Sequence, residues 1–143
     1  MERCIFCRII DRQAPAYIID ETDRVIVFLS LENHPLVVPK AHIPNIYTLD
    51  DATGVAVMRE TIAIARAVKA GLGCDGVYLA QANEPPAGQD VFHFHPHVYP
   101  RWHGDGMNIV APGENPDRRA KQQARDRISR ALLDLRTSGK EAG

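Results

Sequence analysis

The stretch Val91-Phe92-His93-Phe94-His95-Pro96-His97-Val98-Tyr99 places a histidine at every second position, and a period of two belongs to an extended chain. Phe92, Phe94, Val98 and Tyr99 favour strands. The run from Phe92 to Tyr99 is therefore expected to be a strand. It would turn His93, His95 and His97 to one face, and Phe92, Phe94 and Val98 towards a core. Pro96 donates no ladder hydrogen bond and suits an edge or a strand end. Three readings fit such a row. Imidazoles at i and i+2 chelate a transition metal. Alternatively, one imidazole acts as nucleophile or base while its neighbours orient it and supply protons. In the third reading, a half-buried strand uses its histidines to satisfy local polar groups.

The rest of the chain supplies elements that sandwich such a strand. Phe6 to Ile10 reads as a short helix. Tyr17-Ile18-Ile19 and Val25 to Leu29 are β-rich runs separated by the turn chemistry of Asp20 to Asp23, which predicts a hairpin. Leu36 to Pro39 is a third strand, and Val77 to Ala80 a fourth, with the histidine run as the fifth. Asp50 to Ala70 has helical periodicity, with Asp50 or Asp51 as N-cap and Gly71 and Gly73 as the stop. Its apolar stripe is wide: Val55, Met58, Ile62 and Ala65 form a core-facing row, and Val57, Ile64 and Val68 lack an obvious intrachain partner. Between the fourth and fifth strands lies a turn-rich loop ending at Gly88, where a bare backbone can approach a ligand. Asn108 to Asn115 reads as a loop. A terminal amphipathic helix over 118–136 carries Ala124, Ile128, Ala131, Leu132 and Leu135 on one side and a solvated arginine face on the other. A flexible tail over 138–143 is expected after it. The fold class is α+β: a mainly antiparallel sheet of about five strands with a long helix and a terminal helix, in a single domain over 1–143.

Cys4 and Cys7 form a Cys-x-x-Cys pair. A redox motif would need a preceding strand, and the pair sits too near the start for one. A zinc knuckle needs two more ligands, which a histidine-rich chain can supply; two reduced thiols without metal is the plainer alternative. Cys74 lies in a turn and reads as an inert thiol. The odd cysteine count argues against a disulfide framework.

With 17 basic against 18 acidic side chains and a formal charge of −1, no polyelectrolyte partner such as a nucleic-acid polymer is implied. No apolar run approaches the ~20 residues that span a bilayer, so no membrane partner is expected. The amino terminus does not read as a signal peptide, and the expected location is cytoplasmic.

Gly88-Gln89, Val91 and His93-Phe94-His95-Pro96-His97-Val98-Tyr99 together resemble the signature of the histidine-triad (HIT) superfamily. Cys4-Ile5-Phe6-Cys7-Arg8-Ile9-Ile10 is similar to the amino terminus of its zinc-type branch. His34-Pro35-Leu36-Val37-Val38-Pro39-Lys40-Ala41-His42 is similar to a second block of the family. The resemblance implies a HIT-like fold that pairs as a homodimer. It implies a nucleotide small-molecule substrate, hydrolysed or transferred at the α-phosphate: a nucleoside phosphoramidate, an adenylate or a dinucleoside polyphosphate. By the same resemblance His95 is the nucleophile, its Nδ1–H held by a backbone carbonyl so that Nε2 faces phosphorus. His93 and His97 stabilise phosphate charge, and His34 supports them. Gln89 and the backbone around Asp90 and Gly88 bind phosphate. A structural zinc is held by Cys4, Cys7, His42 and His93, and no catalytic metal is required.

Three departures from the family bear on substrate identity. Ala82 stands where an Asn or Gln often contacts phosphate, with Asn83 beside it as a substitute of different reach. Glu84-Pro85-Pro86 replaces a small loop. The Ser30 to Asn33 connection is short, with Ser30 where an Asp often contacts ribose. Two further classes stay open: a non-catalytic nucleotide-binding module on the same fold, and a metalloenzyme using the three histidines as ligands.

Overall fold

The computed structural model describes residues 3–107 and 115–139, in two compact units, Met1–Asp105 and Gly106–Gly143. The first unit contains one five-stranded antiparallel sheet. Helix α1 spans Ile5–Ile10, and strands β1, β2 and β3 span Ile18–Glu21, Val25–Leu29 and Pro35–Pro39. Helix α2 covers Asp51–Leu72, and β4 and β5 cover Gly76–Ala80 and His97–Arg101. The spatial order β1-β2-β3-β5-β4 inserts the last strand between the third and fourth. This is the expected α+β class and strand number.

Strand alternation explains the two-sided core. Successive residues of a strand point to opposite faces, so Val25 and Val27 of β2 pack with Val37 and Val98 against Val57, Ile64 and Val68 of α2. Ile26 and Phe28 point the other way and meet Leu36, Val38, and Phe6 and Ile9 of α1. The hairpin turn is tied by Thr22, whose Oγ1 accepts from the N–H of Arg24 and of Val25, so β1 runs two residues further than the turn composition suggested. Asp50 caps α2, its Oδ2 accepting from Thr53 N at 3.0 Å; Gly73, at φ 62°, ends the helix in the left-handed conformation that glycine adopts without strain.

Two expectations are corrected. In α2 the buried large apolar residues are Val57, Ile64 and Val68, whereas Val55, Met58 and Ile62 are exposed. An over-wide stripe leaves the helix rotation undetermined, and the fit against β2, β3 and β5 selected the other edge of it. Strand β5 begins at His97, not at Phe92. Pro96 cannot donate to a ladder, and the Phe94 N–H bonds to Ile43 O at 2.7 Å, outside the sheet. Phe92, expected in the core, is consequently 53% exposed, while Phe94 and Val98 are buried as their spacing implied.

Glu60 of α2 is only 8% exposed, and its Oε1 has no hydrogen-bond partner among the described residues. Asp20 stands opposite Val27 in the β1–β2 register, which puts it on the sheet face that carries α2. A hydrogen bond with Asp20, then burial, then the Asp20 charge hold the Glu60 carboxyl up at about 7.

The second unit contains helix α3, Arg118–Thr137, N-capped by Asp117, whose carboxylate accepts from Ala120 N at 2.8 Å. None of its described residues is buried. The loop expected over Asn108 to Asn115 lies outside the described residues except for Asn115, and the tail is described only as far as Gly139. No helix among the described residues is long and apolar enough to cross a membrane.

Candidate active site and metal centre

His97 pairs with Leu36 across β3–β5, so it lies on the sheet face that also carries α1. His93 and His95 reach the same side from the segment before β5. Phe6 of α1 stands edge-on to both, with ring centroids 5.9 Å from His93 and 4.9 Å from His95. His95 and His97 are 4.9 Å apart, and His97 and His34 5.1 Å. The sequence expectation of one histidine row holds, although only His97 is on a strand. The other two are not displayed on an open face: His93 is 0% and His95 5% exposed.

The hydrogen bonds assign tautomers. A carbonyl only accepts, so His95 donates Nδ1–H to His93 O at 2.6 Å, and a neutral His95 has a bare lone pair on Nε2. The Asp90 carboxylate faces that nitrogen with Oδ1 at 3.9 Å, beyond hydrogen-bond reach. Burial keeps His95 below the ordinary imidazole range, against the opposing pulls of the His93 carbonyl and Asp90. Burial, then the neighbouring His95 and His34, bring His97 down to about 4. His34 is lowered by burial as well. Near neutral pH the row is therefore uncharged, the state in which imidazole is a nucleophile.

His93 joins this row to a second cluster. Its Nε2–H donates to Pro39 O at 2.7 Å, leaving Nδ1 free, and that nitrogen lies 3.7 Å from Cys4 Sγ, 3.6 Å from Cys7 Sγ and 3.2 Å from His42 Nδ1. Cys7 Sγ is 3.3 Å from His42 Nδ1, and all four ligand atoms lie within 4.8 Å of one another. Zinc–ligand bonds of about 2.3 Å to sulfur and 2.0–2.1 Å to nitrogen, arranged tetrahedrally, imply edges of roughly 3.5 Å for S···N and 3.3 Å for N···N. The three S···N separations and the N···N separation above are close to these edges. Two soft thiols, two imidazoles and a carbonyl fixing the tautomer of one of them suit zinc. Burial and then the adjacent Cys4 raise the Cys7 thiol.

The remaining expected site residues are placed as follows. His34 Nε2 is 2.8 Å from His97 Nδ1. The Ser30 hydroxyl is 3.0 Å from His34 Nδ1. Gln89 is buried with its amide engaged: Nε2 donates to Pro44 O and Val91 O, and Oε1 accepts from Glu84 N. Asn83 Oδ1 accepts from Ile46 N and Gln81 Nε2, and its Nδ2 donates to Gln81 Oε1. Asp90 is largely exposed beside His95, its Oδ1 accepting from Val91 N. Gly88 adopts φ 94° at the end of a 3-10 turn, a conformation that explains a glycine there. Two residues that sequence reasoning passed over also belong to the site. Phe6 walls the row, and Tyr99 packs on His34 at 4.0 Å with its hydroxyl 3.3 Å from His97 Nδ1. Tyr99 continues the i, i+2 spacing of the histidines, which was the signal available for it.

A row of neutral imidazoles on an antiparallel α+β sheet, joined through one histidine to a Cys2His2 group, defines a histidine-triad protein with the donor set of a zinc-binding branch. The chain belongs to the HIT family: the HIT domain profile matches residues 11–104. It is 37% identical over 114 residues to Protein hit of Bacillus subtilis, covering 76% of this chain and 79% of that one. It is 30% identical over 102 residues to the adenylylsulfatase HINT3 of Arabidopsis thaliana, covering 68% of this chain and 52% of that one. The crystal structure of a Zn-bound histidine triad family protein from Mycobacterium smegmatis matches with a TM-score of 0.70 at 31% identity, covering 94% of this chain and 96% of that one.

Proposed function

We propose that the protein is a nucleotide-conjugate hydrolase or transferase that acts at the α-phosphate through a nucleotidyl intermediate on His95. The observation that carries this reading is the 2.6 Å bond from His95 Nδ1–H to the His93 carbonyl, which leaves Nε2 as an unprotonated nucleophile in a buried, uncharged row. In the first step Nε2 attacks phosphorus, an N–P bond forms, and the bond from phosphorus to the leaving group breaks. His97, beside His95, gives a proton to the departing group. Water then attacks the adduct and gives a proton back to His97, the N–P bond breaks, and the nucleoside monophosphate leaves. The backbone around Gly88 and Asp90 contributes to phosphate binding. Phosphoramidates, aminoacyl or sulfo adenylates and dinucleoside polyphosphates are the substrates to screen; the relative named as an adenylylsulfatase supports the adenylate class.

Cys4, Cys7, His42 and His93 would hold a structural zinc that would tie the start of α1 to the segment after β3 and the segment before β5. The chemistry of the row does not route through it. The protein is further proposed to work as a cytoplasmic homodimer: β4 is an edge strand, and Leu79 on it and Val55, Met58 and Ile62 on α2 are exposed apolar residues.

Rapid-quench mass spectrometry during single turnover tests the central claim. A nucleoside monophosphate added, acid-labile, to the Val91–Arg101 peptide is expected in the native protein and absent in His95→Ala. Normal turnover by His95→Ala would overturn the mechanism.

A further inference from the structure

We propose that Ser30 is a positioning residue: acting through His34, it holds His97 as the tautomer protonated on Nε2. The inference rests on the reading of His97 as the proton donor of the row.

The connection from β2 to β3 is only Ser30 to His34. It is closed by Ser30 N donating to His34 O at 2.8 Å and Asn33 N donating to Ser30 O at 3.1 Å, with Asn33 in a left-handed conformation at φ 63°. This tight turn folds the Ser30 hydroxyl against the imidazole of His34. A longer connection would separate the two residues; here the short one makes them partners.

Donor and acceptor capacities then run in one direction. Ser30 Oγ accepts from Glu32 N at 3.1 Å and from His34 N at 3.3 Å, which occupies both lone pairs of the hydroxyl. What remains is its proton, and the group in front of it is His34 Nδ1 at 3.0 Å. His34 Nδ1 is thus an acceptor, so the neutral ring has its proton on Nε2. That Nε2–H donates to His97 Nδ1 at 2.8 Å. His97 Nδ1 is an acceptor in turn, its one lone pair taken by His34, with the Tyr99 hydroxyl 3.3 Å away on the same side. The proton of His97 is left on Nε2, the ring position available to a leaving group. The opposite direction fails: His34 Nδ1–H would be a third donor onto Oγ, and the serine proton would have no acceptor.

The four-residue spacing also explains why a serine fits where a carboxylate would not serve. Asp at position 30 would accept from His34 Nδ1–H and reverse the chain, putting the His97 proton on Nδ1. Ser30 therefore serves tautomer choice through the protein rather than contact with a ribose.

The test uses full-length protein with 15N-labelled histidine rings, read by long-range proton–nitrogen correlation, alongside kcat and KM on an adenylyl phosphoramidate. The native protein should show His97 with an unprotonated Nδ1 and a protonated Nε2. In Ser30→Ala the two nitrogens of His97 should move towards averaged positions, and kcat should fall about tenfold with KM within about twofold, the effect of one lost orienting hydrogen bond. Ser30→Thr keeps the hydroxyl and should restore both readouts, and Ser30→Asp should move the His97 proton to Nδ1. A native His97 protonated on Nδ1, or nitrogen shifts in Ser30→Ala identical to native ones, would overturn the proposal. A rise in KM with unchanged kcat would overturn it in favour of direct substrate contact. Native turnover absent on every nucleotide conjugate, with the His97 tautomer as assigned, would instead sink the hydrolase reading while upholding the role of Ser30 as the tautomer anchor.

Discussion

At His93 two tasks meet in one residue. Its ring nitrogen faces Cys4, Cys7 and His42, and its carbonyl accepts the Nδ1–H of His95. Side chain and backbone are thus used separately, and replacing the imidazole disturbs the Cys4–Cys7–His42 cluster while the carbonyl stays. The residues of the row differ in what their loss removes. On the proposed mechanism His95→Ala deletes the attacking atom, and kcat should fall by roughly 10⁴-fold or more. On the same mechanism His97→Ala deletes a proton donor, for which a fall of about 10²–10⁴-fold is the general range; single-turnover kinetics separates the two. His97 also makes stability depend on pH. Its folded value of about 4 lies below the ordinary 6.5, so between these values the unfolded chain binds a proton that the native one refuses. Stability from this group is complete above about 6.5 and is lost as pH falls towards 4. At pH 5 the loss has an upper value of about 2 kcal/mol, measurable by urea unfolding and reduced in His97→Asn.

On the scale of elements, α1 is a short helix whose contribution is its one buried aromatic. Phe6 packs on Phe28 at 5.3 Å as well as on both histidines, so it belongs to the core and to the site together. Phe6→Ala should cost about 3 kcal/mol in urea unfolding, and should lower kcat more than Ile9→Ala, because Ile9 touches the core without walling the row. Helix α2 poses a different question, since its outward residues Val55, Met58 and Ile62 are exposed and β4 is an edge strand of the sheet. If these form the dimer contact, the double change Met58→Glu and Ile62→Arg should yield a monomer by sedimentation at micromolar concentration, with native helix content. A native protein that is already monomeric there would remove the dimer.

For the whole molecule, the group of Cys4, Cys7, His42 and His93 draws together residues separated by as many as 89 positions in the chain. A ligand that binds only the folded state stabilises it by mass action, about 4 kcal/mol at zinc roughly 1,000-fold above its Kd. Chelation should lower the melting temperature accordingly, and Cys4→Ser or Cys7→Ser should abolish the zinc-dependent gain. A zinc-free sample as stable as a supplemented one would count decisively against the site. A second coupling ties β1 to α2 through Asp20 and Glu60. The Glu60 carboxyl is raised from 4.5 to about 7, so its stabilising contribution is complete below about 4.5 and disappears as pH rises through 7. Glu60→Gln cannot ionise. It should therefore gain over the native protein at pH 8, by about 1 kcal/mol after allowing for the solvent-screened Asp20 partner, and show no such gain at pH 5.

Local chemistry made much of this legible from the sequence. Period-two histidines, a Cys-x-x-Cys pair, the Asp50 cap and the Gly73 stop are statements about neighbours a few residues apart, whose geometry is dictated by sterics and hydrogen-bond spacing. The element types and the histidine row followed from them, and the HIT family from the order and spacing of three blocks. What only tertiary structure decided was each choice between two locally equivalent outcomes. A stripe covering both Val57-Ile64-Val68 and Val55-Met58-Ile62 gives a helix two acceptable rotations, and packing on β2, β3 and β5 chose one. Phe92 to Pro96 could pair as strand, until Ile43 O offered Phe94 N a better partner. Ser30 and His34 are four residues apart in any fold, but only the closed turn between β2 and β3 joins hydroxyl to imidazole, and only the β3–β5 pairing sets His34 against His97. Sequence patterns fix which residues can make such contacts. Which of them do is settled by non-local packing, because a contact's free energy exists only once the chain has placed both partners.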